Sequence, residues 1–261
     1  MLLALDVGNS NIFGGVFQDG KLKLKFRKSS LGEAVSDELG IFLKAVLREN
    51  GVEPGDISGI AICSVVPKLS YPLRSACVKY FGREPFLLQP GVKTGLNIKY
   101  KNPSEVGADR IANAVGAAAL YPGRNMVLVD FGTAITFCAV SKNRDYLGGA
   151  IVPGLKIAME ALASRAALLR TVELVRPAET TGRTTVQSIQ SGLYYSSLGA
   201  VKEIYAGLCR ECFGGEKALL AGTGGFSRLF AEEGLFDVLL PDLVLDGLRL
   251  VYEMNAAGGS K

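Results

Sequence analysis

Two aspartates stand in matching settings in the two halves of the chain. Asp6 follows a run of apolar residues and precedes Gly8, and Asp130 follows a second such run and precedes Gly132. Carboxylate oxygens are hard ligands, suited to Mg²⁺ or an alkali cation. The backbone N–H groups of a glycine-bearing turn can approach a phosphate closely, because no Cβ is in the way. The two Asp-x-Gly stretches therefore predict chemistry on a phosphate with a cation beside it.

The two aspartates belong to an internal repeat. Residues 3–17 (LALDVGNSNIFGGVF) align with residues 128–140 (LVDFGTAITFCAV), with Phe13 opposite Phe137, at an offset close to half of the 261 residues. Each copy contains an apolar strand, an Asp-x-Gly turn and a second apolar strand, which predicts a β-hairpin. A single copy would favour aspartates that merely cap turns, whereas two copies favour a shared phosphate site.

Short polar side chains fill both predicted turns. Asn9, Ser10 and Asn11 follow the first Asp-x-Gly, and Thr133 and Thr136 follow the second. Amide and hydroxyl groups of this kind donate hydrogen bonds to phosphate oxygens. Both turns are thus equipped for a phosphorylated ligand.

A further glycine turn lies later in the chain, where the strand ALLA runs into Gly222, Thr223, Gly224 and Gly225. A strand–turn–helix unit suits a flat nucleotide base or sugar lying against the backbone. A helix N-terminus that needs a tight turn explains the same residues equally well.

The composition excludes several classes of site. The chain has no histidine, which excludes a Ser-His-Asp or Cys-His hydrolase and a His-ligated zinc site. With 48% apolar and 21% charged residues it is typical of a globular protein. The net charge of +4 is spread along the chain without a basic block, so we expect no nucleic-acid partner.

The apolar stretches are too short for a membrane span, which needs roughly 18 residues. No basic region precedes Asp6 at the N-terminus. We therefore expect no signal peptide, no membrane association and a cytoplasmic location. The most basic segment, residues 21–28 (KLKLKFRK), alternates apolar and basic residues, which predicts a half-buried strand that protects a sheet edge.

Five cysteines are present, and Cys209 and Cys212 form a C-x-x-C. The pair lies in an amphipathic helical pattern without a second cysteine pair or a histidine. Helix packing is therefore favoured over redox or metal chemistry.

Strands and helices alternate after each predicted hairpin, which indicates an α/β fold. The last predicted element is a short strand in the first half and a helix in the second half. Strands are predicted within residues 57–66, 85–89 and 217–221, a Gly/Pro turn at 148–155, and helices over residues 33–50, 68–80, 156–169, 185–213 and 245–255.

Two similar halves predict a duplicated domain pair with a cleft between its members. The predicted boundary lies around the YPG turn at residues 121–123. The expected domains are residues 1–118 and 119–255, followed by a tail at residues 256–261.

The chain resembles the type III pantothenate kinases, which belong to the superfamily of actin, hexokinase and Hsp70-type ATPases. The resemblance covers nearly the whole chain. It implies two ribonuclease H-like domains and ATP-dependent phosphorylation of pantothenate, the first committed step of coenzyme A synthesis. The motifs that carry it are DVGNSN at 6–11, SVVP at 64–67, Tyr100 with NPSEVGADR at 102–110, DFGTAIT at 130–136, GGAIVPGL at 148–155 and the GRTT…SG segment at 182–192.

The resemblance assigns the catalytic role to Asp109, which is expected to accept the proton of pantothenate's primary hydroxyl. A carboxylate base also suits a kinase that lacks histidine. Asp109 equally suits a helix N-cap or first-turn position, and both roles can hold. Arg110 is expected to pair with the pantothenate carboxylate or with phosphate oxygens, the alternative being a surface ion pair with Glu105.

Further substrate-binding residues implied by the resemblance are Tyr100, Gly107, Ala108 and Thr185. Thr185 is expected to reach the substrate of a second protomer, which implies a homodimer. The family commonly has Asn immediately before this threonine, where this chain has Thr184.

The resemblance also implies ATP, Mg²⁺ and a monovalent cation. Asp130 is expected to bind K⁺ or NH₄⁺, and Asp6 to assist Mg²⁺ directly or through water. The implied nucleotide-binding residues are Asp6, Val7, Gly8, Asn9, Ser10, Asn11, Ile12, Phe13 and Thr133.

Two alternatives stand beside this interpretation. One is another small-molecule kinase of the superfamily, such as a sugar or acetate kinase; the GADR motif at residues 107–110 and the short chain argue against it. The other is a non-enzymatic regulatory accessory factor. An intact Asp109 and two phosphate hairpins favour catalysis, because a binding module has no need of the acid.

Overall fold

The structure is a computed structural model that describes residues 1–32 and 34–256. Its strands are β1 (Leu2–Val7), β2 (Asn11–Gln18), β3 (Lys21–Ser29), β4 (Gly59–Ser64), β5 (Phe86–Leu87), β6 (Asn97–Ile98), β7 (Met126–Phe131), β8 (Ala134–Val140), β9 (Asp145–Pro153), β10 (Leu219–Thr223) and β11 (Val238–Leu239). Its α-helices are α1 (Ser36–Glu49), α2 (Pro67–Phe81), α3 (Ala108–Leu120), α4 (Leu155–Arg165), α5 (Thr185–Phe213) and α6 (Leu243–Ala256).

The chain forms two compact units. Unit 1 contains residues 1–96, residues 101–120 and the described residues from Leu243 onward, and unit 2 contains residues 97–100 and 121–242. The predicted range 119–255 placed the closing helix α6 in the second half of the chain, whereas α6 packs against α3 and β1 of unit 1. The other predicted domain bounds stay a prediction, and residues 257–261 of the predicted tail lie outside the described residues.

Unit 1 is built on a five-stranded sheet in the order β3-β2-β1-β4-β5. β1 pairs antiparallel with β2 and parallel with β4. A central strand of this kind is buried on both faces, so its sequence is apolar throughout rather than alternating. In β1 every residue but Asp6 is buried.

Unit 2 repeats this arrangement in a six-stranded sheet in the order β11-β10-β7-β8-β9-β6. β7 pairs antiparallel with β8 and parallel with β10, as β1 does with β2 and β4. Every residue of β7 but Asp130 is buried, the same pattern as in β1. Strand order, strand direction and burial therefore confirm the predicted α/β fold of two similar halves; β6 is an addition at the β9 edge.

Each unit has its own apolar core. In unit 1 the central strands pack with α1 and α2 through residues such as Leu5, Leu43 and Leu73. In unit 2, Phe137 and Tyr194 belong to the corresponding core between β8 and α5. Both cores support the strands that end in the two Asp-x-Gly turns.

The basic strand lies at a sheet edge, as predicted. β3 is the outermost strand of unit 1, with Phe26 buried and Lys21, Lys23 and Lys25 exposed. Solvated lysines on an edge strand disfavour pairing with a further strand.

Helix α3 is held by an unusually close helix crossing. A Cβ at Gly247 of α6 would lie 1.8 Å from the carbonyl oxygen of Ala112, and a Cβ at Gly116 would lie 2.9 Å from that of Leu243. Only glycine allows two helix backbones to approach in this way. Because Asp109 is in the first turn of α3, α6 fixes the helix that carries the predicted base.

The prediction of a Gly/Pro turn at residues 148–155 is wrong. Residues 148–153 belong to β9, which pairs antiparallel with β8. Gly149 lies within this strand, and a Cβ on it would lie 1.8 Å from the Phe137 carbonyl oxygen. The glycines therefore serve close strand contact and a bulge rather than a chain reversal.

Other predicted elements are confirmed with shifted ends. α5 matches its predicted range, whereas α4 stops at Arg165 because Ala166 is extended. The predicted strand at residues 85–89 shortens to the two residues of β5. Glu33, the predicted start of the first helix, lies outside the described residues. No helix of the described residues is both long enough and apolar enough to cross a membrane.

Candidate active site

The first hairpin presents Asp6 at the end of β1. Asp6 is paired with Phe13 of β2, and the turn closes with a hydrogen bond from Gly8 N to Asn11 O of 3.0 Å. The backbone of this turn is held by Ser30, whose Oγ donates to Gly8 O over 2.6 Å and whose N–H donates to Ser10 O over 3.1 Å. Ser30 is buried and was not predicted from the sequence, because it lies outside the repeat.

Five of the residues predicted to bind nucleotide in this hairpin fall into two groups. Asn9 and Asn11 are exposed, so their side chains are available to a ligand. Val7, Ile12 and Phe13 have buried side chains, so they can offer only backbone groups. Their apolar side chains anchor the turn in the core of unit 1.

The second hairpin presents Asp130 in the same way. Asp130 is paired with Thr136 of β8, and Gly132 N donates to Ala134 O over 3.1 Å. Thr133 O accepts a hydrogen bond from Gly154 N of 3.2 Å, which ties the turn to the start of α4. Neither Gly8 nor Gly132 has a positive φ. A Cβ at Gly8 would lie only 3.3 Å from Asn11 O, whereas a Cβ at Gly132 would lie 3.4 Å from Ala134 O.

The later glycine turn lies directly against Asp130. Thr223 of β10 is the register partner of Asp130, and a Cβ at Gly224 would lie 2.3 Å from Asp130 Oδ1. Gly224 has a φ of +87°, which a residue with a side chain rarely adopts. The glycine turn therefore supports the carboxylate of the second hairpin, a role that the sequence interpretation did not assign to it.

The carboxylates of Asp6 and Asp130 could each contribute to a cation site. Among residues 1–32 and 34–256, no group of three or more His, Cys, Asp or Glu side chains could hold a metal by itself. Mg²⁺ is commonly held by one or two carboxylates together with substrate phosphates and water. The half-buried Asp6 carboxylate thus fits Mg²⁺ that arrives with a nucleotide.

Glycines lie beside the Asp130 carboxylate. A Cβ at Gly224 would lie 2.3 Å from Asp130 Oδ1 and would crowd it, whereas a Cβ at Gly132 would lie at an ordinary contact distance of 3.7 Å. The backbone can therefore come close to a cation held at this carboxylate.

Asp109 lies in the first turn of α3, close to the end of β4. Its Oδ1 accepts a 2.7 Å hydrogen bond from the Arg110 backbone N–H. A Cβ at Gly107 would lie 2.5 Å from the same Oδ1 and 3.5 Å from Val65, which follows β4. Gly107 is therefore needed for the present position of the carboxylate, and the sequence prediction of a first-turn acid is confirmed.

The environment makes Asp109 a stronger base than a solvated aspartate. Burial raises the pKa of its carboxyl above the usual value, and the backbone N–H and the charge of Arg110 offset part of that rise. Arg110 itself is buried, with 6% of its surface exposed, so it is not the surface residue of the alternative interpretation. A raised carboxyl pKa favours proton acceptance.

Cys63 lies near both Asp6 and Asp109. It is the register partner of Asp6, and its Sγ donates a hydrogen bond to Asp6 Oδ1 over 3.3 Å. Burial, and then the charges of Asp6 and Asp109, hold the pKa of this thiol well above its usual range. No sequence signal pointed to this contact, because a lone cysteine in an apolar strand is typical of a core residue.

Tyr100 lies in unit 2, beside the bulge of β9. Its ring centre is 6.4 Å from that of the buried Tyr146, and a Cβ at Gly148 would lie 3.4 Å from its Cε2. Gly148, with a φ of +110°, leaves room for the ring. Gly148 of β9 therefore packs beside the predicted substrate-contacting tyrosine.

Thr185 is the first residue of α5 and is exposed. Thr184 before it is the N-cap, and its Oγ1 accepts a 3.2 Å hydrogen bond from Gln187 N. Asn and Thr are both good N-cap residues. The departure from the family pattern at Thr184 therefore keeps the capping function of the position.

The C-x-x-C lies in the last turns of α5, as predicted. Cys209 is buried and Cys212 half-buried, and both are free thiols. Tyr205 of the same helix donates to Ala218 O over 2.7 Å and lies against Cys209. These contacts support a packing role for the pair.

Comparison with known proteins assigns the family. The family model described as type III pantothenate kinase matches residues 2–207. The chain belongs to the type III pantothenate kinase family. A type III pantothenate kinase of Legionella pneumophila (strain Corby) is 57% identical over 257 residues, which cover 98% of this chain and 100% of that one. A type III pantothenate kinase of Elusimicrobium minutum (strain Pei191) is 49% identical over 255 residues, 98% of this chain and 99% of that one.

Solved structures with lower identity share the fold of this type III pantothenate kinase family member. A Campylobacter jejuni protein assigned to the Baf family of transcriptional activators superposes with a TM-score of 0.61 at 20% identity, over 98% of this chain and 99% of that one. A Sinorhizobium meliloti protein assigned as a 2-dehydro-3-deoxygalactonokinase gives 0.56 at 15% identity, over 97% and 96% of the two chains. These likenesses show a shared fold over nearly the whole chain and say nothing of the substrate.

Proposed function

We propose that this chain transfers the γ-phosphoryl group of ATP to the primary hydroxyl of pantothenate, which gives 4'-phosphopantothenate for coenzyme A synthesis. The observation that carries the proposal is the 57% identity to a named type III pantothenate kinase along essentially the whole of both chains. The alternative of another small-molecule kinase has no comparable support. The proposed location is the cytoplasm.

Asp109 is the proposed general base. It accepts the hydroxyl proton as the pantothenate oxygen attacks the γ-phosphorus, and the bond to the leaving ADP oxygen breaks. Its pKa, raised by burial, supports this role. The hydrogen bond from the Arg110 N–H to Asp109 Oδ1 holds the carboxylate in one orientation, in which it accepts the proton.

Arg110 is the proposed partner of the pantothenate carboxylate or of phosphate oxygens. A guanidinium can donate two parallel hydrogen bonds to either kind of anion. Gly107 and Ala108 at the start of α3 allow the substrate to approach the backbone closely, and Tyr100 is proposed to contact pantothenate. Thr185, at the exposed start of α5, is proposed to contact the substrate of a second protomer in a homodimer.

The two hairpins are proposed to bind ATP phosphates. Asn9, Ser10, Asn11 and Thr133 offer donors, together with the backbone of the first turn from Asp6 to Phe13. The proposed cations, Mg²⁺ at Asp6 and K⁺ or NH₄⁺ at Asp130, would offset the negative charge of the phosphates. The Asp6 and Asp130 carboxylates hold these charges at the strand ends.

A coupled assay of ADP release tests the proposal. The purified protein, ATP, Mg²⁺ and K⁺ are combined with pantothenate, with a panel of sugars or with acetate. ADP release that depends on pantothenate alone is expected. Release with a sugar or acetate but not pantothenate would assign a different kinase, and no release with any acceptor would support the accessory-factor alternative.

The monovalent cation needs a separate comparison. Rates in buffers that contain only Na⁺, only K⁺ or only NH₄⁺ are measured for the wild type and for Asp130→Asn. The wild type should need K⁺ or NH₄⁺, and Asp130→Asn should lose that dependence. Equal wild-type rates in all three buffers would count against a cation at Asp130.

A further inference from the structure

Cys63 is a buried thiol to which the proposed mechanism gives no task. It lies on β4, opposite Asp6 in the parallel register between β1 and β4. Its side chain is 0% exposed, whereas Asp6 is half-buried. The thiol therefore approaches the carboxylate from the interior of unit 1, and its Sγ donates to Asp6 Oδ1 over 3.3 Å.

The contact is placed where the strand ends and the functional turn begins. Val7 O, one residue after Asp6, accepts a 3.1 Å hydrogen bond from Val65 N, so β1 and β4 stay paired up to this point. The backbone at Asp6 is thus rigid, and the remaining freedom is that of its side chain. A hydrogen bond to one carboxylate oxygen restricts the rotation of the carboxylate plane.

We propose that Cys63 is a positioning residue that holds the Asp6 carboxylate in the orientation in which it meets the Mg²⁺–nucleotide complex. The proposal rests on the proposed kinase function. A thiol is a weak donor, so it orients the carboxylate while leaving most of its negative charge for the cation. Partners that orient a metal-binding group in this way typically change metal affinity or activity by about 10- to 100-fold when they are removed.

Three variants separate hydrogen bonding from packing. Cys63→Ala removes the donor, and Cys63→Ser keeps a donor at the same position. Cys77→Ala is the matched control, because Cys77 is also 0% exposed and in unit 1, but lies on α2. Melting temperatures of all three show whether each variant is folded.

The decisive readout is nucleotide binding rather than turnover. Isothermal titration calorimetry measures the ATP Kd of each protein over a series of Mg²⁺ concentrations, and the steady-state KM for ATP and for pantothenate are measured beside it. Cys63→Ala should raise the ATP Kd and KM in Mg²⁺ by about tenfold or more and leave the pantothenate KM within about twofold. Cys63→Ser should recover most of the loss, and Cys77→Ala should match the wild type.

Three results would overturn the proposal. They are an unchanged Mg²⁺–ATP Kd in folded Cys63→Ala, an equal loss in Cys63→Ala and Cys63→Ser, or an equal loss in Cys77→Ala. Failure of the proposed kinase function is seen separately, as a wild type that releases no ADP with pantothenate. The wild-type assay is therefore run first, and the variants are compared on binding.

Discussion

The crossing of α3 and α6 gives a prediction whose sign opposes helix propensity. Alanine is a better helix former than glycine by about 1 kcal/mol, so Gly→Ala in an open helix position stabilises. At Gly247 the new Cβ would lie 1.8 Å from the Ala112 carbonyl oxygen, whereas real Cβ contacts essentially never fall under 3.0 Å. The two helix backbones must therefore separate by at least about 1.2 Å, the difference between those distances.

The cost of Gly247→Ala follows from this displacement. Overpacking costs about 1–3 kcal/mol, and the upper end applies because a backbone carbonyl cannot rotate away as a side chain can. After the gain in helix propensity is subtracted, the free energy of unfolding should fall by about 2 kcal/mol, which corresponds to a decrease of about 4–8 °C in Tm. A shift of about 1 Å one turn from Asp109 should also lower kcat by about 10- to 100-fold.

Gly199→Ala is the matched control for this prediction. Gly199 is exposed on α5, and a Cβ added there would have no atom of another part of the chain within 4 Å. This variant should raise Tm by about 2–4 °C. Thermal unfolding by circular dichroism and the coupled kinase assay measure both effects. A Gly247→Ala protein as stable and active as Gly199→Ala would refute the crossing geometry.

Three further predictions concern the site. Gly107→Ala should displace the Asp109 carboxylate, because the new Cβ would lie 2.5 Å from Asp109 Oδ1. We expect kcat to fall about tenfold or more while Tm changes by only about 2–4 °C, and an unchanged kcat would contradict the contact. If Asp109 is the base as proposed, it accepts a proton only when ionised, and burial raises its pKa. kcat/KM should therefore fall as pH drops through a value above the usual 3.8, and an acid limb at or below 3.8 would contradict this. In the native protein, iodoacetamide should label half-buried Cys212 before the buried Cys63 and Cys77. Burial raises the pKa of Cys77 to about 12, which lowers its reactivity. Equal labelling of Cys63 and Cys212 would show that Cys63 is accessible.

The sequence predicted the parts of the fold that depend on local patterns. The repeat around Asp6 and Asp130 predicted two hairpins, and both strands that precede them are buried except at the aspartate. The long amphipathic pattern of α5 located that helix at both ends, because Thr184 caps its start and Gly214 its end. Each of these patterns is formed by residues that lie close together in the sequence.

The remaining features depend on contacts between distant residues. Nothing local distinguishes Gly148 and Gly149 in a strand from glycines in a turn, since their role is set by Phe137 and Tyr100. The place of α6 in unit 1 is set by Gly247 against Ala112. The Cys63 thiol meets Asp6 only because β4 pairs with β1. The sequence motifs therefore predicted the acidic residues of the site but not the groups that hold them in place.

Pantothenate-dependent ADP release of the wild type and Asp109→Asn, measured side by side, tests most directly whether the protein is a pantothenate kinase with Asp109 as its base. The Asn Oδ1 can still accept from the Arg110 N–H, and loss of a buried charge should leave Tm no lower than that of the wild type. The wild type should release ADP, and folded Asp109→Asn should lose about 100-fold or more of that release. Wild-type protein without pantothenate-dependent release, or Asp109→Asn with undiminished release, would contradict this assignment.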